Sequence, residues 1–320
     1  MDNFDMYNMD FSEGLRSVWG LLGDAFFGNF RQGLGVFIAI IVISMLMGLT
    51  SSAFEGSGSD AARRVPAMAG ILAIAGVCLG SMNSLFGLVT STLAQTDTFS
   101  KALLPTLAAA MVASGTPTSA VIKSSAIVLF SDILITIITR FLLPCTYAYL
   151  ALVTANAAMA NDALKGLANF IKSCITGALK LLLTLFIAYI TISGTISGTS
   201  DIMIERSAKL ALTGAVPVVG NIISEATQTV IAGAGILRNS IGIFGLIAVL
   251  SITISPIIVI GLNFLALKFA AAVAAPASPP GIVKYTEQLA DVFSLILAMT
   301  AASALVLLIG IVSCMQTWRF

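Results

Sequence analysis

Long apolar runs almost free of charge constrain this chain more than any other feature. Residues 33–50, 67–90, 173–195 and 293–314 hold one charged side chain between them, Lys180. A helix needs about 20 mostly apolar residues to cross the hydrocarbon core of a bilayer, so each run predicts a span. Composition agrees. The 320 residues are 58% hydrophobic and 10% charged, with mean hydropathy +1.02, against roughly 25% charged in an ordinary soluble domain. A water-soluble globule is excluded, and the expected fold class is all-α, a polytopic helical membrane protein.

Two further stretches, 119–160 and 239–275, are each apolar for about 40 residues, which is about 60 Å as one helix and twice the core thickness. Pro144 and Pro256 lie near their middles. A proline inside a helix removes a hydrogen bond and clashes with the preceding turn, so two close-packed helices are expected either side of each, giving about eight crossings. Segments 102–114 and 210–220 are too short to cross and contain Pro105 and Pro217. They read as re-entrant or interfacial pieces. Irregular backbone at membrane depth survives only against protein or water, which makes these pieces the first candidates for a permeation or docking site.

Pro105 and Pro217 are 112 residues apart, as are Pro144 and Pro256. An internal duplication, about 33–144 and 145–256 followed by two closing helices, would produce this spacing, and broken helices at matching positions mark the centre of many repeat-built transporters. Two unrelated proline breaks are the alternative. Ahead of the spans, residues 1–32 form a separate region with an acidic start and, over 10–31, an apolar stripe from Phe11 to Phe30 opposed by Glu13, Arg16, Asp24 and Arg31. This is the pattern of an interfacial amphipathic helix. Residues 33–320 read as a single polytopic domain. The sequence as given opens with no positive region leading into a short apolar core, so no secretory signal is expected in it. Arg63 and Arg64 follow the first span and mark a cytoplasmic connection by the positive-inside rule, with the amino terminus outside.

Many function classes lose a necessary part. A net charge of +1 offers no basic excess for nucleic acid. There is no histidine, hence neither the commonest general base nor the commonest zinc ligand. Cys78, Cys145, Cys174 and Cys314 are scattered through apolar runs and read as small hydrophobes. No phosphate loop and no nucleophile with a base in sight is present, so neither catalysis nor a cofactor or metal is expected.

The ionisable residues at membrane depth are the candidate polar or pathway groups: Lys123, Asp132, Arg140, Lys180, Glu225 and Arg238. A charge facing lipid costs a few kcal/mol, so each should face protein or water, unless a long side chain snorkels to the interface. Lys123 and Asp132 are nine residues apart and point to opposite faces of one helix, which sends each to partners elsewhere. Asp132 is too short to snorkel and is the strongest candidate for a buried polar contact. Gly194 and Gly198, with Gly233, Gly235, Gly242 and Gly245, would let helix backbones approach closely.

Residues 215–276 bring several of these features together: Pro217 to Gly220, Glu225, Leu237 to Asn239, Gly242, Gly245 and Pro256. This pattern resembles the signature region of the stage III sporulation protein AE family, and residues 103–115 are similar to that family's other proline-bearing stretch. The resemblance implies a multi-pass protein of the mother-cell membrane around the forespore. It also implies partners: other stage III sporulation A-operon proteins, including an ATPase and ring-forming proteins, and stage II sporulation protein Q indirectly; separately, the glycine cluster is compatible with packing within the chain or between copies in a homo-oligomer. In that setting the chain would be a membrane-embedded subunit of a channel or secretion-like complex. The competing readings are a self-sufficient secondary transporter of a small solute or ion, coupled at Asp132, and a membrane anchor with no pathway.

Overall fold

In a computed structural model the backbone is described for residues 6–53, 60–159, 163–215 and 220–315, and side chains chiefly over 33–53, 65–159, 164–193 and 230–315. Every element among them is helical. They are α1 (Met6–Ala53), α2 (Asp60–Ala113), α3 (Pro117–Ile137), a π-helical turn (Ile138–Leu142), α4 (Leu143–Met159), α5 (Ala163–Ala215), α6 (Gly220–Ala274) and α7 (Pro280–Met315). Six stretches among the described residues are long and apolar enough to cross a membrane: Gly33–Ala53, Val65–Ala113, Pro117–Met159, Leu164–Ser193, Val230–Ala274 and Pro280–Met315.

Contacts between helix ends give the topology. At one end of the bundle Gly48 lies against the carbonyl of Ala277, Gly70 against Met47 and Ile282, and Thr154 bonds Tyr285 at 3.0 Å. At the other end Gly115 meets Ile231, Lys123 reaches Ser313 and Arg238 reaches Met315. Thus α1, α3–α4 and α6 run one way, while α2 and α7 run the other. α5 joins the second set, since Lys172 near its start pairs with Asp291 and Phe186 further along meets Phe130.

The α2–α3 turn follows from its sequence, Ser-Gly-Thr-Pro. Gly115 takes φ 84°, the left-handed conformation that lets a helix end. The amide of Thr116 and its hydroxyl both donate to the Met111 carbonyl, and Pro117 opens α3, where its missing N–H costs nothing. α7 is the central helix. Its buried residues include Leu289, Ala290, Val292, Phe293, Leu295 and Ile296, which cover most of its circumference and leave one strip, with Leu305 and Val312, exposed. α5 is peripheral and exposes Leu181, Leu185 and Ile187.

Three expectations change. The proline-bearing stretches do not split into helix pairs: 117–159 is one helical run with a π turn just before Pro144, and Pro256 lies inside α6. Residues 102–113 are no separate short piece but the end of α2, with Pro105 within the helix. The physical reason is common to all of these. Ending a helix frees four N–H and four C=O groups, each costing several kcal/mol in lipid, whereas an internal proline costs about 3 kcal/mol. Continuity is cheaper. Among the described residues six stretches, in place of the expected eight, are long and apolar enough to cross, and the continuous helices at Pro144 and Pro256 neither support nor contradict the 112-residue duplication. Of 210–220, residues 210–215 close α5 in backbone, and Pro217 lies outside the described residues.

Candidate functional site

Charge at membrane depth gathers in two clusters that span helices. In the first, Lys101 of α2 places its Nζ 2.7 Å from Asp97 Oδ2, one helical turn away, and 2.9 Å from Asp132 Oδ1 on α3. One lysine thus serves two carboxylates, and the triad carries a net negative charge. It sits on the outer surface: Lys101 and Asp132 are 48% and 54% exposed. Asp132 therefore has a partner on another helix, as its short side chain demanded, but on a surface rather than in the core.

α2 and the α3–α4 run pair antiparallel beyond the triad, and Phe86 of α2 stacks on Tyr147 of α4 with ring centroids 3.8 Å apart. Around this stack lies an open groove of about 600 Å³, lined by Asn83, Gly87, Thr90, Ser91, Thr139 and Tyr147 among others. The π turn and Pro144 form one wall. There the Leu143 amide reaches the Ile138 carbonyl, five residues back, a pattern typical of single π turns in helices and often found at functional sites. Arg140 lies within this turn and is exposed.

In the second cluster, Asp291 of α7 accepts from Lys172 of α5 at 2.7 Å and faces Lys268 of α6 at 3.6 Å. Three helices meet on one carboxylate.

Lys123 and Arg238 are both buried and converge on the end of α7. Lys123 Nζ donates to the Ser313 carbonyl at 2.7 Å. Arg238 donates to the Met315 carbonyl at 3.0 Å, with Ser114 Oγ at 3.5 Å. The last carbonyls of a helix have no partner within it and carry the negative end of the helix dipole, so two cations there are the complement α7 requires. These residues are cap groups, joining the first turns of α3 and the described part of α6 to the last turn of α7.

Lys180 is exposed on α5. The side chain of Glu225 and the surroundings of Gly194 and Gly198 lie outside the described residues. Among the other glycines, a Cβ on Gly245 would stand 2.5 Å from Leu103 Cδ2, and one on Gly242 would run into Met315, so both mark close helix contacts. Gly233 and Gly235 face open space. Sequence reasoning missed Asp97, Lys101, Lys172, Lys268 and Asp291. The i, i+4 spacing of Asp97 and Lys101 was the available signal. Among the described residues no group of three metal-ligating side chains comes together.

A sequence profile for the family described as stage III sporulation protein AE (spore_III_AE) matches residues 4–317. The chain belongs to this family. Stage III sporulation protein AE of Bacillus subtilis (strain 168) is 27% identical over 266 residues, covering 82% of this chain and 65% of the relative. The chain therefore spans about two thirds of the length of that curated relative. No solved structure matches. Membership implies a role in sporulation, and six membrane-competent helices among the described residues of a stage III sporulation protein AE family chain make this a multi-pass membrane protein.

Proposed function

We propose that this protein is a membrane-embedded subunit of a channel or secretion-like complex that links mother cell and forespore and is needed for spore development. The family match over residues 4–317 carries the reading. In it, the chain lies in the mother-cell membrane around the forespore with α1 beginning outside the cytoplasm. An ATPase and ring-forming proteins of the same operon are its partners, and stage II sporulation protein Q lies across the gap.

The placement of Asp132 favours a subunit over a self-sufficient transporter. A coupling carboxylate of a lone transporter belongs at the centre of one chain, whereas Asp132 is paired on the outer surface, where neighbouring protein completes its surroundings. The test is deletion in a spore-forming host, together with crosslinking and co-purification from sporulating cells. Arrest of late forespore development and recovery of an ATPase or ring protein with this chain are expected. Normal spores, or solute uptake by the purified protein alone in liposomes, would reject the reading.

A further inference from the structure

The strip that α7 leaves exposed changes character part-way along the helix. Near the start it shows exposed Lys284, Glu287 and Ser294 with half-buried Asp291, and further on it shows Leu305 and Val312. Spacings of three and four residues, repeated, keep all of these on one helix face. Asp291 meets Lys172 of α5 on one side and Lys268 of α6 on the other. The polar part of the strip is therefore the floor of a furrow walled by α5 and α6. Exposed Lys165, two turns before Lys172 on the same face of α5, stands at its mouth. Lys165, Lys172, Lys268 and Lys284 against Glu287 and Asp291 give the furrow an excess of two positive charges.

These cations are not used up within the fold. Lys172 donates to Asp291 at 2.7 Å, but Lys268 stands 3.6 Å away, beyond hydrogen-bond reach, and its side chain is 43% exposed. An ammonium carries three donors, and a charge left against acyl chains is costly, so the furrow calls for an anion. Its surroundings say which kind. One turn further into the span from Lys268, α6 exposes Leu265, and past Ser294 the strip of α7 exposes Leu305. Charge and then apolar surface follow one another along the furrow, as headgroup and acyl chain do in a lipid. Basic pockets between spans on the cytoplasmic side take anionic headgroups. This is the end at which α2 begins with Arg63 and Arg64, the cytoplasmic end by the positive-inside rule. We propose that the furrow of α7 between α5 and α6 binds an anionic phospholipid. Lys268 and Lys172 donate to its phosphate oxygens, and its acyl chains lie along Leu265 and Leu305. Asp291 competes with the phosphate for Lys172 and so holds the affinity down. The inference goes beyond the channel reading and needs only that the chain lies in a bilayer.

The test uses the full chain in mild detergent with equal amounts of phosphatidylglycerol and phosphatidylcholine, and native mass spectrometry counts the lipids that stay bound. Phosphatidylglycerol is expected to be retained over phosphatidylcholine by about fivefold or more, the worth of one lysine near an anionic surface. Lys268→Gln should remove most of that preference, whereas Arg140→Gln, the same change of charge elsewhere, should leave it. Asp291→Asn should raise retention, because it frees Lys172 for the phosphate. A purely structural ion cluster would gain nothing from that change. Equal retention of the two lipids, a preference that survives Lys172→Gln combined with Lys268→Gln, or no rise with Asp291→Asn would overturn the proposal. Displacement of the lipid by millimolar inorganic phosphate would do so too, since the site would then be one for a free anion. Lys268 makes no hydrogen bond to Asp291, so Lys268→Gln keeps the test open if Lys172→Gln fails to fold. None of these outcomes touches the loss of spores expected on deletion, so this inference and the channel reading fail separately.

Discussion

At the scale of single residues, space decides what a glycine is for. Gly48 packs against backbone, the Ala277 carbonyl of the α6–α7 connection, and Gly76 faces open space. A methyl group at Gly48 cannot be accommodated by a side-chain rotation, so Gly48→Ala is expected to cost about 1–3 kcal/mol, as overpacking does. Gly76→Ala removes a flexible residue from a helix interior and should gain about 0.5–1 kcal/mol. Thermal unfolding in detergent measures both, and equal shifts would sink the distinction. Lys101 invites a second comparison, because it alone balances Asp97 and Asp132. Lys101→Gln leaves two carboxylates without their cation, whereas Asp97→Asn or Asp132→Asn leaves a matched pair. Lys101→Gln should therefore lower the unfolding midpoint more than either carboxylate change, and the triple variant should recover part of the loss, since it leaves no charge behind. A triple variant less stable than Lys101→Gln would contradict the shared-cation account. Asp132 was legible in sequence because a short acidic side chain deep in an apolar run has to find a partner. Its partner was not, because Lys101 and Asp97 fall between two segments that local hydropathy separates and α2 joins.

At the scale of elements, hydropathy located the helices and proline misplaced their ends. Reading Pro105, Pro144 and Pro256 as interruptions applies a rule learned in water, where freed backbone groups find solvent. In lipid the same groups have no substitute, and the helices run on, with Pro144 absorbed by a π turn. The α2–α3 turn was a different case, since Gly115 and Pro117 carry signals that hold in any solvent. The end of α7 was not legible at all. Lys123 and Arg238 lie 190 and 77 residues from the carbonyls they bond, so only the folded bundle brings them there. If they cap α7, Lys123→Met combined with Arg238→Met should free its last turn, with amide exchange faster over residues 311–315 and unchanged over 289–300. Uniform acceleration along α7 would instead mean that these cations hold the whole bundle together.

At the scale of the molecule, six and eight crossings make opposite statements about one connection. Both leave the first and last spans beginning and ending on the same side, so the chain ends do not separate them. The end of α4 does. In the bundle Thr154 bonds Tyr285 near the start of α7, which puts Met159 at the same end as the 275–279 connection and opposite the 114–116 turn. Breaking 119–160 into two crossings at Pro144 would send Met159 back to the side of Thr116. With Cys145 and Cys174 changed to serine, Met159→Cys and Ala277→Cys should be labelled from one side of the membrane and Thr116→Cys from the other. Met159 is exposed at the helix end, so its replacement tests topology with little risk to packing. Labelling of Met159→Cys together with Thr116→Cys would restore eight crossings. It would also separate α2 from the α4 portion of its groove, since Phe86 and Tyr147 could then no longer stack across one continuous antiparallel pair. The groove between α2 and the π turn therefore depends on α3 and α4 crossing as one helix.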